Sequence, residues 1–110
     1  MTSPSAPPIA LDEGNWNIMQ GILQNQLPHT EVWALGSRAR GTPKPFSDLD
    51  LALITSQPLA LSMMAQLNDA FDTSDMTIKV DLVDWASTSQ IFRNTIARDK
   101  VLIQSGAAPG

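Results

Sequence analysis

The chain has 110 residues, enough for one domain with a single modest core. A composition of 43% hydrophobic and 16% charged residues excludes a disordered chain, and a net charge of −4 without any basic run argues against a surface built for nucleic acid. With no cysteine there are no disulfides or thiolate metal sites, which suits the cytoplasm expected here, and no apolar run approaches the roughly 20 residues of a membrane helix.

In chain order, Met1–Pro8 is Ser/Pro-rich without an apolar h-region, so a disordered tail and not a signal peptide is expected over residues 1–8. The domain is expected over 9–105, with a flexible tail at 106–110. Asp12–Gln26 predicts a helix, because Trp16, Met19 and Leu23 fall on one stripe and Pro28-His29 closes it. Thr30–Leu35 predicts a short strand ending in Gly36-Ser37. Phe46–Thr55 contains a second strand, with an apolar centre from Leu49 to Ile54. A helix is then expected to start near Ser56-Gln57-Pro58. Its Met63, Met64, Leu67, Ala70 and Phe71 recur at the spacing of one buried face. Thr77–Val83 predicts a third strand. Ser87 is a candidate cap for a last helix, with Gln90 three residues on, and Val101–Ile103 a closing strand.

Alternating elements imply an α/β (α+β) fold: a small mixed β-sheet with flanking helices. The second and third strands, with a helix between them, can run parallel. The first-to-second connection is short for a crossover and favours an antiparallel pair.

The chemistry concentrates in Gly36-Ser37-Arg38-Ala39-Arg40-Gly41 and Ser47-Asp48-Leu49-Asp50-Leu51. Asp48 and Asp50 stand at i and i+2 on a strand and therefore point to one face. Two such carboxylates repel each other and lose hydration, and a hard cation relieves both problems. Asp81, set between Val80 and Leu82, joins them if the second and third strands are neighbours. Three oxygen ligands suit Mg²⁺ or Mn²⁺ and support phosphoryl-type transfer through two ions roughly 3.5–4 Å apart. Gly36 allows close backbone approach at the strand end. Ser37 offers a hydroxyl and an amide to a phosphate, and Arg38 and Arg40 are placed to neutralise it.

Gly-Ser, ten residues, then Asp-x-Asp resembles the signature of the polymerase-β-like nucleotidyltransferases. The fuller string, Gly-Ser-Arg-Ala-Arg-Gly with Ser-Asp-Leu-Asp-Leu, resembles more narrowly the minimal nucleotidyltransferase group, over roughly Asp12 to Ile103. In that group small proteins are often antitoxins encoded beside a helical HEPN ribonuclease toxin. The resemblance implies a palm-like nucleotidyltransferase fold, with Gly36, Ser37, Arg38 and Arg40 on the nucleoside triphosphate. It implies Asp48, Asp50 and Asp81 as metal-holding catalytic residues. The implied reaction moves AMP from ATP to a hydroxyl, typically a tyrosine of the HEPN partner, and releases pyrophosphate. Larger relatives carry a second domain, so here a partner surface is expected to complete the site. A binding-only antitoxin and a small-molecule transferase of the aminoglycoside type are the alternatives.

Other polar residues have plainer expectations. Ser47 reads as a turn residue, Lys44 as solvated and His29 as structural. Asp84 is expected to face away from Asp81 and to be solvated. Trp16, Trp33 and Trp85 are expected in the core or facing a partner.

Overall fold

A computed structural model of the chain describes residues 9, 11–36 and 48–106. The elements run α1 (Glu13–Gln26), β1 (Glu31–Leu35), β2 (Leu49–Ile54), α2 (Leu61–Asp72), β3 (Val80–Asp84), a 3₁₀ turn (Trp85–Ser87), α3 (Gln90–Asp99) and β4 (Val101–Gln104). The four strands form one mixed sheet in the order β3-β2-β1-β4. β1 is antiparallel to β2 and to β4, and β2 is parallel to β3. The short connection and the helical crossover therefore produce the two pairings expected of them.

The sheet's period of two sorts the core into halves. Val32, Ala34, Leu49, Leu51 and Leu53 pack with Met19 and Leu23 of α1 and Leu67 and Phe71 of α2. Trp33, Leu35 and Ala52 pack on the other side with Ile96 of α3, bordered by Ile54, Val83 and Trp85. Among the described residues, two helices thus cover one face and one helix covers part of the other. Among the described residues no helix is long and apolar enough to cross a membrane.

α1 starts where Asp12 accepts a hydrogen bond from the Asn15 amide at 3.1 Å, and it closes where the Leu27 N–H donates to the Leu23 carbonyl. Asn15 is buried and fully used. Its amide group donates to Asp12 Oδ1 at 2.6 Å and Thr77 Oγ1 at 2.8 Å, and its Oδ1 accepts from the Thr77 N–H at 3.0 Å. Those bonds hold Thr77 to α1 instead of to a neighbouring strand. This explains why β3 begins at Val80, three residues later than the expected Thr77.

Two further boundaries differ from expectation. α2 begins at Leu61, not near Pro58. Asp84 accepts from the Leu59 N–H at 3.0 Å, and Thr55 Oγ1 donates to the Gln57 carbonyl at 2.8 Å, so the chain turns before it coils. The last helix is capped by Ser89, whose Oγ accepts from the Phe92 N–H at 3.2 Å, and not by Ser87. Ser87 belongs to the 3₁₀ turn and donates to Asp84 Oδ2 at 3.2 Å. Gln90 donates to Asn94 at 3.0 Å instead of reaching back to Ser87. Asp84 itself is half-buried and hydrogen-bonded, not solvated as expected, because the Leu59 N–H and the Ser87 hydroxyl converge on its Oδ2 while Thr55 Oγ1 lies 3.4 Å from its Oδ1.

Candidate active site

The β2–β3 register decides the site. Parallel pairing sets Leu49 against Val80, Asp50 against Asp81 and Leu51 against Leu82. Paired residues of adjacent strands share a face, so the Asp50 and Asp81 carboxylates emerge side by side. They emerge on the face of Ala52 and Val83, away from the larger core. Asp48 precedes β2 at its N-terminal end and is exposed. Among the described residues, no three acidic or histidine side chains are drawn into one closed metal cluster. The close pair is Asp50 and Asp81, with Asp48 acting on Asp50 as a further charge.

Asp50 carries the electrostatic strain. Its pKa is raised above the ordinary 3.8 by burial first, then by the charges of Asp81 and Asp48, with carboxyl–carboxyl hydrogen bonding to Asp81 acting in the same direction. Asp81 is less enclosed and has the Lys79 ammonium 3.7 Å from its Oδ1, at a position open to solvent.

Gly36 closes on the same group. β1 ends at Leu35, which pairs with Asp50 across the antiparallel ladder. The next residue, Gly36, takes φ +78°, and a Cβ there would lie 2.9 Å from Asp50 Oδ2. The turn needs glycine twice, for its backbone conformation and for the carboxylate lying against it. Ser37, Arg38, Arg40, Lys44 and Ser47 lie outside the described residues.

A pocket of 280 Å³ opens beside the pair. The sheet supplies Leu35, Gly36, Asp50 and Val83, and α3 supplies Phe92, Thr95 and Ile96. The apolar side of α3 therefore lines this pocket as well as the core. Nothing in a single stretch of sequence marked Phe92 and Thr95 for this. Only the return of α3 over the second face brings them opposite Gly36. That return is held by Arg93, whose guanidinium donates to the Trp85 carbonyl at 2.9 and 3.2 Å, donates to Thr88 Oγ1 at 3.2 Å, and lies 5.1 Å from the Trp85 ring centroid. Trp85 in turn meets Trp33 edge-on, with centroids 4.9 Å apart.

Residues 17–107 match the family described as Polymerase beta, Nucleotidyltransferase. The chain is 47% identical over 87 residues to "Probable protein adenylyltransferase MntA" of Haemophilus influenzae, covering 79% of this chain and 76% of that protein. Its fold matches a chain of a toxin–antitoxin crystal structure with AMP-PNP, at TM-score 0.69 and 23% identity over 83% of this chain and 73% of the other. It also matches a chain of a complex between a tri-AMPylated HEPN toxin and an MNT antitoxin from Shewanella oneidensis, at TM-score 0.58 and 20% identity over 86% and 73% of the two chains. At those identities the structural likenesses concern the fold, while the family match spans most of the sequence. This chain belongs to the polymerase beta nucleotidyltransferase family.

Proposed function

We propose that the chain is a divalent-metal-dependent protein adenylyltransferase: it moves AMP from ATP to a tyrosine hydroxyl of a HEPN-type toxin and so neutralises that toxin. The observation that carries this is the Asp50–Asp81 register with Gly36 against Asp50. The identity to a protein named as an adenylyltransferase supports the reaction, and the fold shared with chains of HEPN toxin complexes supports the partner.

The donor chemistry fits a hard cation. Asp48, Asp50 and Asp81 offer only carboxylate oxygens, and burial and repulsion oppose the ionised form of Asp50. These three residues would hold Mg²⁺ or Mn²⁺, which when bound stabilises the charge that develops on the transferred phosphoryl group. Gly36, at the turn beside Asp50, would let the backbone approach the triphosphate closely. Ser37 would contact it through hydroxyl and amide, with Arg38 and Arg40 balancing its charge. The tyrosine oxygen attacks the α-phosphorus of ATP. A new O–P bond forms, the bond from the α-phosphorus to the bridging oxygen breaks, and pyrophosphate leaves. The hydroxyl proton passes to the Asp81 carboxylate. ATP and a cytoplasmic toxin meet in the compartment that a cysteine-free chain suits.

Intact-mass spectrometry of a HEPN-type toxin incubated with ATP and Mg²⁺ tests the proposal. The wild-type chain should add one or more AMP groups, and Asp50→Asn should slow the addition by at least about a thousandfold. An unmodified toxin with the wild-type chain, or full modification by Asp50→Asn, refutes it.

A further inference from the structure

We infer that the exposed start of α3, Ile91 with Phe92, is the docking lip for the protein acceptor, and that the pocket behind it receives the acceptor's aromatic hydroxyl side chain. This rests on the transfer reaction proposed above and names the surface that presents its substrate.

α3 divides its apolar residues between two tasks. Ile96 is buried against Trp33, Leu35 and Ala52. Phe92 lies one turn earlier on the same stripe, beyond the sheet's cover, where it lines the pocket and stays 44% exposed. Ile91, beside it, is 81% exposed and outside the pocket. Such a pair at a pocket mouth is an apolar patch continuous with the site.

The pocket's own chemistry narrows the occupant. Among the described residues its walls are largely apolar, from Leu35, Val83, Phe92 and Ile96, and Asp50 is the one carboxylate that lines it. A side chain that is apolar along its ring and ends in a hydroxyl matches that gradient, and places its oxygen toward Asp50 and the neighbouring Asp81. A nucleobase would satisfy the walls but would leave Ile91 in water. A protein that carries the hydroxyl covers Ile91 and Phe92 as its side chain enters. The lip is also pre-organised: Ser89 caps the first turn and Arg93 ties it to Trp85, so docking spends little on ordering it.

The test compares Ile91→Asp, Phe92→Ala and Phe92→Leu with Leu61→Asp, a control at the 88% exposed Leu61 of α2. Binding of a HEPN-type toxin, KM for that toxin and KM for ATP are measured on each protein, with melting temperature as the check on folding. Ile91→Asp and Phe92→Ala should weaken toxin binding and raise the toxin KM at least tenfold while the ATP KM stays within twofold. Phe92→Leu should recover most of the loss, and Leu61→Asp should match wild type. Unchanged toxin binding in Ile91→Asp overturns the inference, as does a rise confined to the ATP KM, which would assign the wall to the nucleobase. A wild-type chain that binds the toxin but transfers nothing refutes the reaction alone, and the binding comparison still decides the lip. A wild-type chain that does not bind the toxin overturns the lip as well.

Discussion

Asp50 is the residue on which structure and chemistry pull in opposite directions. Its folded pKa lies above the ordinary 3.8, so its contribution to stability is complete below that value and is lost as pH rises through the folded pKa. In EDTA and without nucleotide, Asp50→Asn should therefore melt a few degrees higher than wild type at pH 7. The gain is limited because the group is still partly solvated, and it should disappear below pH 3.8. Thermal melts across that range check this, and a lower melting point for Asp50→Asn at pH 7 would contradict it. Gly36→Ala has the opposite sign. At φ +78°, with a Cβ 2.9 Å from Asp50 Oδ2, it should cost about 1–2 kcal/mol in denaturant unfolding. The glycine at the end of β1 and the side of β2 on which Asp50 lies were legible in the sequence, since residue type and strand alternation imply both. The tight contact between Gly36 and Asp50 was not, because it depends on which residue of β2 faces the end of β1.

At the scale of elements, boundaries were read less well than the elements themselves, and the causes are side chains acting across long stretches of chain. Asn15 holds Thr77 from 62 positions away, and Asp84 reaches across to Leu59. Neither tie can be seen in local propensity. Each is measurable. Asn15→Ala leaves the Thr77 N–H without its acceptor and should cost about 1–3 kcal/mol by chemical denaturation. The caps of α3 offer a sharper contrast. Ser89→Ala should cost about 1 kcal/mol, and Ser87→Ala should cost clearly less, because Ser89 alone accepts from the helix's first turn. Equal losses would mean that the helix starts where local sequence first placed it.

For the whole molecule, the sheet order β3-β2-β1-β4 gathers what the chain disperses. One short antiparallel connection puts Gly36 beside Asp50, and one parallel crossover puts Asp81 there from 31 residues downstream. The strand pairings followed from connection lengths, and the nearness of Asp81 to Asp50 followed from the expected neighbourhood of the second and third strands. The α3 wall was not readable, since a helix's apolar stripe says that it packs and not what lies across from it. Among the described residues two helices cover one face and one covers part of the other, and the pocket beside Asp50 lies on that second face. Asp50 and Asp81, made neighbours by the β2–β3 register, are proposed to act as one cation-holding site. Electron paramagnetic resonance titration of Mn²⁺ in the presence of a non-hydrolysable ATP analogue tests it on the wild-type chain, Asp50→Asn and Asp81→Asn. Both variants should bind the ion at least about tenfold more weakly than wild type, whereas wild-type affinity in Asp81→Asn would contradict the shared site.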